Sequence, residues 1–134
     1  MVQTFRCQHI SVSIQKTPAE VYAFASQPDN MPKWAAGLSR STMKKSGEVW
    51  IADSPMGSVT VKFAPHNSFG VLDHDVTLSN GALFHNPLRI LKNGGGSEVV
   101  FTLYRHLDMT DEAFANDAKQ VHADLIKLKS LLEN

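Results

Sequence analysis

A helix start is written into residues 17–24. Thr17 is a capping residue, Pro18 has the fixed φ that suits a first helical position, and Glu20 stands where a capping box places its acid. Just upstream, Ile10, Val12 and Ile14 alternate with His9, Ser11 and Ser13. That period of two marks a half-buried strand, which we place over 4–14. At the far end of the chain, apolar residues recur at steps of three and four. A strand, a capped helix, a run of hairpins and one closing amphipathic helix predict a sheet wrapped around a helix. Such a sheet leaves room for a ligand.

Between these anchors the pattern changes twice. The first helix should stop near Pro28. A short second helix, carrying Trp34, should cover 29–36 and end at Gly37. Period two then returns, with strands expected over 40–45, 48–52, 58–64, 69–78, 82–91 and 98–107. Turn residues separate them at Ser46-Gly47, Ser54-Pro55-Met56-Gly57, Pro65-His66-Asn67, Asn80-Gly81 and Asn93-Gly94-Gly95-Gly96. The last helix begins near Thr110, with Asp111 and Glu112 at its positive end and Lys127 and Lys129 at its negative end. Phe114, Ala118, Val121, Leu125, Leu128 and Leu132 form its apolar stripe.

Totals narrow the partners. A chain of 134 residues suits one domain over 1–134. Thirteen basic and thirteen acidic residues cancel, so no nucleic-acid or acidic-membrane partner is indicated. Cys7 is the single cysteine, which excludes an internal disulfide and a cysteine-held zinc. No apolar run reaches the roughly 18 residues of a membrane span. Residues 1–6 lack the apolar core of a signal peptide. A cytoplasmic protein is the resulting expectation.

Asn80-Gly81 is the usual pair of a two-residue hairpin loop. With that loop, Val76 faces His85, His74 faces Pro87 and Leu72 faces Arg89. One face then carries Leu72, His74, Val76, Leu78, Leu83, His85, Pro87 and Arg89. The other carries Asp73 and Asp75, which would be costly against an apolar space. The first face is therefore expected to be concave, with His74, His85 and Arg89 as polar points in an apolar wall. Asp73-His74-Asp75 is not a dyad, because neighbouring strand residues point to opposite faces. Six scattered histidines, of which only His74 and His85 are expected near each other, predict no metal site. Gly94-Gly95-Gly96 precedes a strand, so it is not a phosphate loop, and no cofactor is expected. No serine or cysteine has a nucleophile motif. The Asn93–Gly96 turn leaves open whether Phe101 or Tyr104 faces inward.

Ile10-Ser11-Val12-Ser13-Ile14 before Thr17-Pro18-Ala19-Glu20-Val21-Tyr22, then Trp34, resemble the START/Bet v 1-like superfamily, also called SRPBCC or polyketide cyclase/dehydrase-like proteins. Gly70 through Val76, Asn86-Pro87-Leu88-Arg89, Val99 through Leu103, and Phe114-Ala115-Asn116-Asp117 through Asp124-Leu125 resemble one bacterial subgroup of it. The resemblance spans essentially the whole chain. It implies an α+β helix-grip fold, with an antiparallel sheet of about seven strands curved around the C-terminal helix and two short helices after the first strand. It also implies a small hydrophobic or amphipathic ligand between sheet and helix. No catalytic motif is shared across the superfamily, so none carries over. The expected wall is Trp34, Leu72, His74, Val76, His85, Arg89, Ala118, Val121 and Leu125. The alternatives are an enzyme of polyketide cyclase or aromatase type and a co-chaperone-like partner module. A homodimer stays open.

Overall fold

The structure, a computed structural model, describes residues 2–38, 41–54 and 57–134, with the Ser54 side chain left aside. Among these residues there are eight strands and three α-helices. β1 (Cys7–Ile14) is followed by α1 (Pro18–Ala25) and by a short α2 (Met31–Trp34) flanked by 3₁₀ turns at Pro28–Asn30 and Ala36–Leu38. Then come β2 (Lys44–Ser46), β3 (Val49–Ser54), β4 (Gly57–Phe63), β5 (His74–Thr77), β6 (Leu83–Asn86), β7 (Leu88–Asn93) and β8 (Gly96–Tyr104). The long α3 (Asp111–Glu133) closes the chain. Arg40 at the head of the expected 40–45 strand, and Pro55-Met56 in the expected 54–57 turn, lie outside the described residues.

The helix ends form where the side chains direct. The Thr17 hydroxyl accepts from the Glu20 N–H at 3.2 Å and donates to the Glu20 carboxylate at 3.1 Å. Thr110 caps α3 by accepting from the Ala113 N–H at 3.0 Å. Each cap satisfies an amide that has no partner inside its helix.

All pairings are antiparallel, in the orders β1-β8-β7 and β2-β3-β4-β5-β6. One ribbon joins the two ladders. Residues 74–77 pair with 83–86, and in the same register Val71 bridges Arg89, while Leu72 N–H donates to Leu88 C=O at 2.8 Å. The single strand expected over 82–91 is broken at Pro87, which has no N–H to give a ladder. Pro87 still accepts from the Thr102 N–H at 3.0 Å, so the break is where the ribbon passes from one ladder to the other. This makes eight strands where seven were expected. Within 69–78 only His74–Thr77 forms ladder pairs, and the first strand begins at Cys7 rather than Thr4.

The Asn80-Gly81 loop corrects the expected register. Leu78, not Ser79, is the closing residue: its N–H donates to Ala82 C=O at 2.9 Å, and Gly81 N–H returns to Leu78 C=O at 2.9 Å. The loop is therefore three residues long, with Gly81 at φ 89° in the left-handed position that such loops end on. One extra loop residue shifts every cross-strand partner by one, and His74 faces Asn86 instead of Pro87.

The core runs between the concave sheet face and α3. Ile14, Val21, Val61, Leu88, Val99, Leu125 and Leu128 are almost fully buried in it. The last turns of α3 are tied to the end of β1: Lys129 donates to Ser13 C=O at 2.7 Å, and Glu133 accepts from the Gln15 N–H at 2.8 Å. Among the described residues, no helix is long and apolar enough to cross a membrane.

Candidate functional site

Between the sheet and α3 lies a cavity of about 440 Å³, within the range of small-molecule sites. β4, β5, β6 and β8 supply Val59, Val61, Val76, Phe84, Phe101 and Leu103 to its wall. The α2 region closes one side with Met31, Trp34 and Leu38, and α3 adds Val121 and Leu125. The polar lining is short: His74, Asn86, Asp117, Gln120 and Asp124. Asp117, Gln120 and Gly37 are exposed, so the cavity meets solvent where α3 passes the loop after α2. That edge is held by Asp124, which accepts from the Ala36 N–H at 3.2 Å and from Gln120 Nε2 at 2.8 Å.

His74 is the polar centre of the sheet wall. It is 5% exposed and lies between the rings of Phe63 and Phe101, at 5.8 and 6.3 Å. Its Nδ1 is 2.9 Å from Leu72 C=O. A carbonyl only accepts, so Nδ1 carries the proton and Nε2 is left as a lone-pair acceptor. Burial pushes the imidazole below its usual range, against the smaller opposing pull of the Leu72 carbonyl and the Asp73 and Asp75 charges. His74 is therefore neutral at pH 7. Opposite it in kind is Trp34, 6% exposed, whose indole Nε1 is a buried donor with no hydrogen-bond partner among the described residues. Buried indoles usually find one.

The outer face of the same ribbon is ionic. Asp73 accepts from Arg89 Nε at 2.8 Å and Nη2 at 2.7 Å, and from the Leu88 N–H at 3.0 Å. The Arg89 hydrogen bonds hold its carboxyl below the usual carboxylate range. Asp75 accepts from His85 Nδ1 at 2.6 Å. On α3, by contrast, burial raises the carboxyls of Asp117 and Asp124, the latter against the hydrogen bonds from Gln120 and Ala36.

Of the residues selected from sequence, Trp34, His74, Val76, Val121 and Leu125 line the cavity. Four do not. His85 and Arg89 point to the outer face and pair with Asp75 and Asp73, because the three-residue loop moves them off the concave side. Leu72 stays on the inner face but is packed into the core beyond the cavity. Ala118 is half-buried and turns to a groove between α3 and β1, beside His9, Ser11 and His122. The expected placement of His74 and His85 on one face fails with the register, and no group of three metal-ligating side chains occurs among the described residues. Phe84 and Asn86 were missed for the same one-residue reason. Asp117, Gln120 and Asp124 had a visible signal, being polar residues at i, i+3 and i+7 along the edge of the apolar stripe. On β8, the two-residue turn at 94–95 settles the open face: Val99, Phe101 and Leu103 turn inward.

No protein-family model matches the chain, and no curated protein does. Solved structures do. The Aha1 dimer of Colwellia psychrerythraea, determined in solution, superposes with a TM-score of 0.75 at 15% identity, covering 96% of each chain. Ara h 8.0201 superposes with a TM-score of 0.68 at 11% identity, covering 97% of this chain and 99% of that one. DynU16, from the dynemicin biosynthetic locus, gives 0.74 at 11% identity, with 96% of this chain matching 47% of that one. The chain has the helix-grip fold of the START/Bet v 1-like proteins.

Proposed function

We propose that this protein binds an apolar or amphipathic small molecule in the cavity between the sheet and α3. The observation that carries the reading is a mostly apolar cavity of about 440 Å³ lined by Trp34, whose buried Nε1 has no partner among the described residues, and by His74, whose Nε2 is left free by the Nδ1 bond to Leu72 C=O. Leaving a buried donor or acceptor unpaired costs about 1–3 kcal/mol. A ligand supplying one acceptor and one donor would remove that cost while filling apolar space. Trp34, His74, Val76, Val121 and Leu125 are the proposed ligand contacts, joined by Phe84, Phe101 and Leu103. Native mass spectrometry of freshly expressed protein, followed by titration with the neutral dye Nile red, tests this. A bound small molecule, or saturable one-to-one dye binding, is expected. A bare protein that also fails to bind the dye would overturn it.

One observation favours a second reading, an enzyme of polyketide cyclase or aromatase type. A neutral imidazole with a bare Nε2 in an apolar cavity is placed to take a proton from a bound substrate. His74→Gln separates the two. For a binder, affinity changes modestly; for a general base, turnover falls about 10²–10⁴-fold with binding retained.

A further inference from the structure

The charge at the cavity's edge narrows the ligand further. Asp117 and Asp124 lie seven residues apart on one side of α3, about 10 Å along the axis, and both line the cavity. Among the described residues no lysine or arginine lines it. Among the described residues no lysine or arginine forms an ion pair with Asp117 or Asp124, Lys127, three residues after Asp124 on α3, included. Lys33 donates to Asn30 at 3.0 Å, Lys119 lines the groove against β1, and Arg105 is bound to Met109 C=O and Asp111. Asp117 has no hydrogen-bond or ion-pair partner among the described residues, while Asp124 accepts only from neutral groups, Gln120 and the Ala36 amide. Deeper in, the more-than-nine-tenths-buried Trp34 and His74 offer an unpaired donor and an unpaired acceptor to whatever fills the space.

We propose that the cavity selects a cationic amphiphile, with its apolar body against Val61, Phe101 and Leu125 and a protonated amine at the Asp117–Asp124 edge. This rests on the small-molecule reading above and adds the sign of the head group. An amine there meets two carboxylates that have no ion-pair partner among the described residues. A carboxylate ligand would meet the same two charges as repulsion, in surroundings drier than bulk water, where such pairs interact more strongly.

Isothermal titration calorimetry with decylamine, 1-decanol and decanoate, each below its micellar concentration at pH 7.5, tests it. The three probes share a chain and differ in head-group charge. Decylamine should bind about tenfold tighter than decanoate, with decanol between them. The gap should shrink in high salt, because the edge is partly open to solvent. In the Asp117→Asn, Asp124→Asn double variant the order should collapse, with a parental circular dichroism spectrum as the control for an intact fold. Equal affinities for all three probes, or tighter binding of decanoate, would overturn the charge selection and leave the small-molecule reading standing. Binding of none of them would overturn the charge selection, and the small-molecule reading with it where the protein is also bare and fails to bind Nile red.

Discussion

His74 and His85 sit on neighbouring strands of one hairpin, eleven residues apart in sequence, yet they occupy opposite chemical worlds. His74 faces inward, buried between Phe63 and Phe101, neutral, with one nitrogen on a backbone carbonyl and the other bare. His85 faces outward, and its Nδ1 hydrogen-bonds Asp75 at the exposed surface. Residue type does not separate them. A single loop residue does, because it decides which face of β6 is turned to the cavity. The same contrast holds along the ribbon: Leu88 is 1% exposed on the inner face, and Leu83 is 56% exposed.

The largest test of this inside–outside contrast truncates those two leucines. Leu88→Ala should lose about 2–5 kcal/mol, the usual cost of a cavity in a packed core. Leu83→Ala should stay within about 0.5 kcal/mol. Chemical denaturation measures both, and equal losses would break the comparison.

Next in size is the pH dependence of His74. Its folded pKa is lowered by burial, so below the unfolded value near 6.5 the unfolded chain takes up a proton that the folded one refuses. Stability is thus unaffected by His74 above about pH 6.5 and falls as pH drops below it. The slope reaches at most about 1.4 kcal/mol per pH unit until the folded value is reached. Denaturation midpoints of the parent and His74→Gln across pH 5–7.5 should diverge toward acid, with the flatter curve belonging to the variant. Parallel curves would mean that His74 titrates alike in both states.

The smallest effect belongs to the outer face. A double-mutant cycle on Asp73→Asn and Arg89→Gln should give a coupling of about 1 kcal/mol or less, since the Arg89 side chain is half exposed. Asp73 has a lowered folded pKa, so this contribution is present above the unfolded value near 3.9 and is lost as pH falls through the folded one. A coupling several times larger would place this pair, rather than the cavity wall, at the energetic centre of the ribbon.

Much of this was legible beforehand because it is local. The cap at Thr17 depends on a few consecutive residues and formed as expected, and the helix expected to begin near Thr110 begins there. Within β5, alternation alone put His74 on one face and Asp73 and Asp75 on the other, and the cost of burying two carboxylates chose which face is inside. The stripe of α3 marked Leu125 and Leu128 as core by its period.

What the sequence could not decide is relational. Register between β5 and β6 depends on how many residues the loop holds, and here Asn80-Gly81 ends a loop of three rather than its usual two. That one residue exchanged His85 and Arg89 for Phe84 and Asn86 in the partner strand, and it gave Asp73 and Asp75 their partners. Likewise, an apolar stripe about 100° wide says which side of α3 is buried but not which edge meets β1 and which meets the cavity. Docking of the helix turned Ala118 to β1 and Asp117, Val121 and Asp124 to the cavity. Period and capping are properties of a segment and are set by its own residues. Register and docking angle belong to pairs of segments, and only the packed structure fixes them.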